Sequence, residues 1–182
     1  MKIKLPKLHK LLKIPQLPKQ IIFISLILFS SNIMALTLSS AAFQNGAAIP
    51  PQYTCAGNNI IPPLSWMDMP SNTRSLVLIL IDPAAPEGEW DHWLVYNIPA
   101  NSNGIAEGAK ELPQGSVVLK NSWGHAEYDG PCPPHGTHHY FFYLYALNST
   151  LSLSADASRL QLLSAMQNNI IAQTRLMGLF SK

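Results

Sequence analysis

A proline- and glycine-rich stretch at residues 129–140 brings together two side chains that can donate and accept protons. Its sequence is DGPCPPHGTHHY, and it runs directly into an apolar segment. The three prolines fix φ and supply no N–H, so a ligand held by this loop must be contacted largely by side chains. Alternate residues of an extended strand share a face, which places the His138 imidazole beside the Tyr140 phenol.

Asp82 and His92 occupy comparable positions, at the ends of two other apolar segments. Asp82 ends one run and begins DPAAP, and His92 begins the run HWLVYNI. Loops at the edge of a rigid scaffold often carry functional side chains. Imidazole and phenol groups can donate hydrogen bonds to one oxyanion, and a carboxylate orients a neighbouring imidazole. With His138 and Tyr140, these residues predict a small phosphate or carboxylate site, in which Asp82 pairs with a histidine or with a cationic part of the ligand.

Two enzymatic interpretations use the same side chains. Asp82, His92 and His138 could form a metal site of two imidazoles and one carboxylate, although neither a helix nor a local metal-binding signature accompanies them. The same groups could serve acid–base or metal-assisted hydrolysis of a phosphoester or a small amide. The sequence contains no GxSxG, HExxH or GxxxxGK[ST] motif. We therefore favour a non-enzymatic binding protein without a cofactor or a bound metal.

The elements that carry these residues are expected to be mainly β-strands, followed by one C-terminal helix. Apolar runs predict strands at residues 75–81, 92–98, 117–119 and 140–147, and the last of them is apolar on both faces, as in a central strand covered on both sides. Beyond residue 151 the period changes to that of an amphipathic helix. This helix is expected to include Leu160, Leu163 and Met177, with or without a break at Asn168-Asn169, and to have Ser154 or Asp156 as its N-cap.

The first 35 residues differ in composition from the rest of the chain. They hold six of the 12 basic residues, all of them Lys, and no acidic residue, and an apolar run at residues 21–29 precedes the small residues that end at Ala35. These are the regions of a secretory signal peptide. We expect residues 1–35 to be that signal and residues 36–182 to be a single periplasmic or secreted domain. An uncleaved anchor in the inner membrane is the alternative.

Charge and cysteine content narrow the choice of partner and compartment. Residues 36–182 hold six basic and 10 acidic residues, so the basic character of the whole chain comes from its first segment. A nucleic-acid partner is disfavoured, because no basic stripe remains. Cys55 and Cys132 are the only cysteines. In an exported protein we expect one disulfide between them, and two free thiols near the site are the alternative.

Five motifs follow one another along residues 38–181. They are YTCAGNN at residues 53–59, PPLSW at 62–66, DPAAP at 82–86, WDHWLVYN at 90–97 and GPCPPHGTHHY at 130–140. In type and order they resemble the phosphatidylethanolamine-binding protein family, in its bacterial Raf-kinase-inhibitor-like branch.

The resemblance implies a large central antiparallel sheet, a smaller sheet packed on it, and flanking helices near the C-terminus, the last of which ends in residues 176–180. It also implies a pocket at one end of the sheet, lined by Asp82, His92, Gly130, Cys132, Pro134, His138 and Tyr140. The ligand would be a small anion or a phosphorylated head group, with peripheral membrane association and inhibition of a protease or another partner as further expectations. The family usually has a second Asp where this chain has Ala84. We therefore expect simple anions to bind better than phosphoethanolamine.

Overall fold

The computed structural model describes residues 35–182, so the expected signal peptide and its cleavage lie almost wholly outside the described residues. Within the described range the chain forms two antiparallel sheets and one α-helix, which confirms the predicted fold class. The elements are β1 (Thr37–Ser40), a 3-10 turn (Pro51–Tyr53), β2 (Leu64–Met67), β3 (Ser75–Asp82), β4 (Trp90–Pro99), β5 (Gly104–Ile105), β6 (Val117–Leu119), β7 (Thr137–Leu147), α1 (Arg159–Met166) and β8 (Ile170–Ser181). No helix in this range is long and apolar enough to cross a membrane.

The strand β3 lies at the centre of the five-stranded sheet, whose order is β6-β4-β3-β7-β8. All eight of its residues are buried. Leu78 and Leu80 pack in the core shared with the three-stranded sheet β1-β2-β5, whereas Ile79 packs in the core beneath α1. Because both faces are covered, the strand needs apolar residues at successive positions. The predicted buried strand at residues 75–81 is thereby confirmed.

The strand β7 presents its predicted site residues on one buried face. His138, Tyr140 and Phe142 are buried, whereas His139 between them is exposed. The assignment of alternate residues to opposite faces is therefore confirmed. The strand lies inside the sheet between β3 and β8 and has a core cluster on each face, as predicted, but the cover on the second face is incomplete. The side chain of Tyr143 on the other face is only partly buried, because it lies at the margin of the core beneath α1.

The C-terminal segment contains a helix, as predicted, but the helix is short and a strand follows it. The helix α1 ends at Met166, and β8 pairs with β7 over almost its whole length. Residues 176–180, which the resemblance placed in a helix, belong to this strand. Without β8, the backbone groups along one edge of β7 would be unpaired. Strand pairing thus overrides the helical spacing of the apolar residues after residue 169.

The start of α1 also differs from the expectation. Its N-cap is Ser158, and neither Ser154 nor Asp156 takes that role. The Ser158 hydroxyl accepts from the Gln161 backbone N–H at 3.3 Å, and the Gln161 side chain accepts from the Ser158 N–H at 2.8 Å. This reciprocal capping box follows from the sequence S-x-x-Q. It shifts the buried face of the helix to Leu162, so Leu160 faces solvent.

The two leucines provide a matched test of this helix orientation. Leu162 is fully buried beneath the large sheet, whereas Leu160 is 73% exposed. We expect Leu162→Ala to lower the free energy of unfolding by about 2–5 kcal/mol, the range for cavity-forming substitutions. Leu160→Ala should change it by no more than about 0.5 kcal/mol. Urea unfolding of both variants measures the difference, and equal losses would contradict the helix orientation.

Candidate functional site

His92 lies at an irregularity near the start of β4. Consecutive positions of β3 pair with Trp93 and Asp91, so His92 between them has no partner in that strand. A bulge of this kind bends the strand and re-aims a side chain. The His92 ring packs edge-on against the ring of Tyr140 in β7, with centroids 5.2 Å apart. The irregularity thus brings a β4 side chain into contact with the buried face of β7.

The His92 imidazole is fixed by the loop that precedes β7. Its Nδ1 lies 2.8 Å from the carbonyl oxygen of Asp129 and 3.1 Å from that of Gly130. Because carbonyl oxygens only accept hydrogen bonds, Nδ1 must carry the hydrogen. Burial lowers the pKa of His92, which is only 2% exposed, so the neutral ring is favoured. In this tautomer Nε2 carries a lone pair and no hydrogen.

Asp82 pairs with His138 rather than with His92. The Nδ1 atom of His138 lies 2.6 Å from Oδ2 of Asp82, and both side chains are buried. The other carboxylate oxygen accepts from the Ala84 backbone N–H at 2.9 Å. The two residues meet because β3 ends beside the start of β7. The prediction that Asp82 would pair with a histidine therefore agrees with this contact.

Tyr140 is the second buried hydrogen-bond donor of this cluster. It has no exposed surface, and the Asp82 carboxylate and the Cys132 backbone lie within reach of its hydroxyl. Burial raises the pKa of Tyr140, and the nearby negative charge of Asp82 raises it further. The phenol therefore remains protonated at any physiological pH and keeps a hydrogen to donate.

A cavity of about 250 Å³ adjoins this cluster. Its lining consists of Asp82, Ala85, Pro86, Glu87, Trp90, His92, Trp123, Cys132 and Pro134. Four of the seven predicted site residues are among them. The other three contact the lining from within the protein: His138 binds Asp82, while Tyr140 and Gly130 contact His92.

A family model described as phosphatidylethanolamine-binding protein matches residues 39–181. The chain belongs to this family. A UPF0098 protein of Methanothermobacter thermautotrophicus is 45% identical over 150 residues, which are 81% of this chain and 99% of that protein. LppC, named as a candidate lipoprotein of Mycobacterium tuberculosis, is 41% identical over 147 residues, covering 80% of this chain and 72% of that protein.

A solved structure supports the same assignment. The crystal structure of a phosphatidylethanolamine-binding protein homologue from Chlamydia trachomatis matches this chain with a TM-score of 0.77 and 43% sequence identity. The match covers 82% of this chain and 99% of that one. The family and the fold that the motifs implied are therefore confirmed.

Gly130 joins two loops through its backbone. Its N–H donates to Oδ1 of Asn59 at 2.8 Å, while its carbonyl accepts from His92. A Cβ atom at this position would lie 2.2 Å from the carbonyl oxygen of Tyr53, so no other residue fits without a backbone shift. Gly130 therefore positions His92 and is not itself part of the cavity lining.

A disulfide between Cys55 and Cys132 fastens the same two loops, with the Cα atoms 5.3 Å apart. The Cys55 backbone N–H also donates to the carbonyl of Pro131 at 3.1 Å. The predicted bridge is confirmed, and the alternative of two free thiols is wrong. Because Cys132 lines the cavity, the bridge holds one wall of it in place.

Five residues of the cavity lining were not predicted from the sequence: Ala85 and Pro86 of the DPAAP motif, and Glu87, Trp90 and Trp123. Trp90 and Trp123 pack edge-on with ring centroids 5.3 Å apart, and Trp123 packs on His92 at 5.0 Å. Trp90 stands within the WDHW motif, so its proximity could have been inferred. Trp123 and Glu87 lie in loops without a comparable signal. Glu87 adds a carboxylate to a lining that contains no Lys or Arg among the described residues.

A separate group of possible metal ligands lies on the loop before Gly130. His125, Glu127 and Asp129 each have a ligand atom within 4.8 Å of the others. The Asp129 carboxylate already accepts from Asn121 at 2.7 Å and contacts Nδ1 of His125 at 2.9 Å. The alternative metal site of Asp82, His92 and His138 is not among the groups of described residues that meet this spacing.

The lowered pKa of His92 predicts a pH dependence of stability. The unfolded chain takes up a proton at His92 near the ordinary value of 6.5, and the folded domain resists it. The free energy of unfolding should therefore fall as the pH drops below that value, by up to about 1.4 kcal/mol per pH unit. His92→Asn retains an amide donor for the two carbonyls and does not titrate, so its curve should lack this component. Urea unfolding at several pH values checks the difference, and parallel curves would contradict it.

Proposed function

We propose that this domain is a binding protein without catalytic turnover that captures a small anion, or the phosphorylated part of a larger ligand, in the cavity beside His92. The observation that carries this proposal is an unpaired donor in the cavity wall. Trp90 lines the cavity, and its buried Nε1 has no hydrogen-bond partner among the described residues. Buried polar groups in folded proteins are nearly always paired. An oxygen atom of a ligand would complete this donor once a small turn of the indole brings its N–H to the cavity.

Two features support action outside the cytoplasm. Disulfides such as Cys55–Cys132 persist mainly in oxidising compartments. The similarity to LppC, named as a candidate lipoprotein, agrees with a periplasmic, secreted or membrane-attached protein. In such a compartment a protease is a more accessible partner than a cytosolic kinase. The exposed side chains of Trp123 and Pro134 form the part of the cavity rim that a protein partner or a membrane head group would meet.

One contact favours a second candidate function, hydrolysis of a phosphoester or a small amide. The short pair between Asp82 and His138 is an arrangement in which a carboxylate orients an imidazole for general base catalysis. The imidazole of His138 is absent from the cavity lining, however, and no described Ser or Thr side chain lines the cavity. Binding is therefore the leading proposal.

A pair of neighbouring histidines tests the proposal. His138→Ala would leave the buried Asp82 carboxylate without its partner, next to the bound anion. We expect it to weaken binding of inorganic phosphate by about 5- to 150-fold, equivalent to about 1–3 kcal/mol. His139→Ala alters the exposed face of the same strand and should leave the affinity within about twofold. Isothermal titration calorimetry measures both.

The same proteins distinguish the two candidate functions. Absence of phosphate binding by the unmodified protein, or equal affinity in both variants, would contradict the proposed site. Turnover of p-nitrophenyl phosphate that His138→Ala abolishes would instead support the hydrolase, and metal analysis of the purified protein would show whether an ion takes part.

A further inference from the structure

The hydrogen-bond directions around His92 restrict the ligands that the cavity can accept. Its Nδ1–H is committed to the carbonyls of Asp129 and Gly130. Its Nε2 has no partner among the described residues, and the ring lines the cavity. In the neutral ring this atom only accepts hydrogen bonds. A ligand oxygen without a hydrogen would therefore meet a lone pair at this position.

Burial has the largest effect on the pKa of the His92 ring and lowers it, whereas the negative charges of Asp82 and Asp129 raise it and so act against this restriction. Asp82 from β3 and Glu87 from the following loop line the cavity as carboxylates. Two described cations are engaged in ion pairs outside the lining. Arg159 pairs with Asp91 at 2.6 Å, and Lys120 pairs with Asp156 at 2.6 Å.

The remaining groups that face His92 are neutral or already paired. From β7, Tyr140 contacts the ring as a protonated phenol, and His138 behind it is bound to Asp82. From the preceding loop, Trp123 packs on the ring and the Asp129 carboxylate is held by Asn121. None of these neighbours donates a hydrogen bond to Nε2 of the neutral ring.

We infer that the cavity selects oxyanions that carry their own hydrogen-bond donor, that is, inorganic phosphate or a phosphate monoester with a P–OH group, over anions without one. In this arrangement the P–OH hydrogen is donated to Nε2 of His92. The unpaired indole N–H of Trp90 lies buried in the cavity wall, so a small turn of the ring would bring it to the deprotonated oxygens. The inference rests on the proposed function and names the class of anion for that same site.

The need for a P–OH donor also distinguishes phosphate monoesters from the phosphodiesters of lipid head groups. A phosphate monoester keeps a P–OH group over part of the physiological pH range, whereas the phosphodiester linkage of most lipid head groups has none. Sulfate is likewise fully deprotonated. These anions would bind only when His92 itself is protonated, which its burial opposes. Their affinity should therefore rise as the pH falls, while that of phosphate should change much less.

The experiment compares inorganic phosphate, sulfate and dimethyl phosphate by calorimetry at about pH 7.5 and about pH 5.5. Sulfate is a dianion without a hydrogen-bond donor, and dimethyl phosphate is a monoanion without one. Comparing the two separates the effect of the anion's charge from the effect of a missing donor. We expect phosphate to bind at least about tenfold more tightly than either at the higher pH, on the scale of one hydrogen bond to a charged group. Sulfate should tighten at the lower pH with uptake of a proton, detected as a dependence on the ionisation enthalpy of the buffer.

Two variants complete the test. His92→Asn removes Nε2 and should reduce the preference for phosphate over sulfate to within about threefold, whereas His139→Ala on the opposite face should preserve it. Sulfate or dimethyl phosphate binding as tightly as phosphate to the unmodified protein at about pH 7.5 would overturn the inference while leaving the anion site in place. Failure of all three anions to bind would overturn the proposed function itself. The comparison on the unmodified protein stands even if His92→Asn does not fold.

Discussion

The hydrogen bonds from His92 Nδ1 to the carbonyls of Asp129 and Gly130 are the contact on which the candidate site depends. They orient a buried imidazole that the bulge in β4 has turned towards β7. They also require the loop carbonyls to stay in place, which is why the loop is fastened by Asn59 and by the disulfide through Cys132. Rigidity of the loop thus fixes the tautomer of the ring, and the tautomer determines which ligand groups fit.

The cavity differs from common phosphate sites in its electrostatics. Arginine pairs and helix N-termini usually bind phosphate through positive charge. Here the described lining has no basic side chain, and its carboxylates come from Asp82 and Glu87. An anion would be attracted by neutral hydrogen-bond donors. The contact of His138 with the Asp82 carboxylate would reduce the repulsion between that carboxylate and the anion. Such a site would gain more selectivity from the direction of its hydrogen bonds than affinity from charge. It is suited to a ligand that binds reversibly and dissociates readily.

The parts of this arrangement that could be predicted are those encoded by local pattern. The apolar run of β3 and the alternation of His138 and Tyr140 follow from strand geometry, and the motifs identify Asp82 and His92 as neighbours. The bulge beside His92 and the approach of Trp123 could not be predicted, because both arise from pairing and packing between distant segments. The same reason explains the error at β8, whose residues follow a helical period but pair with β7.

The helix α1 contributes to the site as well as to the core. Arg159 at its first turn binds the Asp91 carboxylate at 2.6 Å and also contacts Glu89. Burial raises the pKa of Asp91, and the Arg159 charge opposes that rise. Partly buried ion pairs contribute little net stability, but their geometry can fix one arrangement over others. Glu89 and Asp91 flank Trp90, and Asp91 directly precedes His92. The contacts of Arg159 with these two acids therefore hold the start of β4, which lines the cavity, against α1.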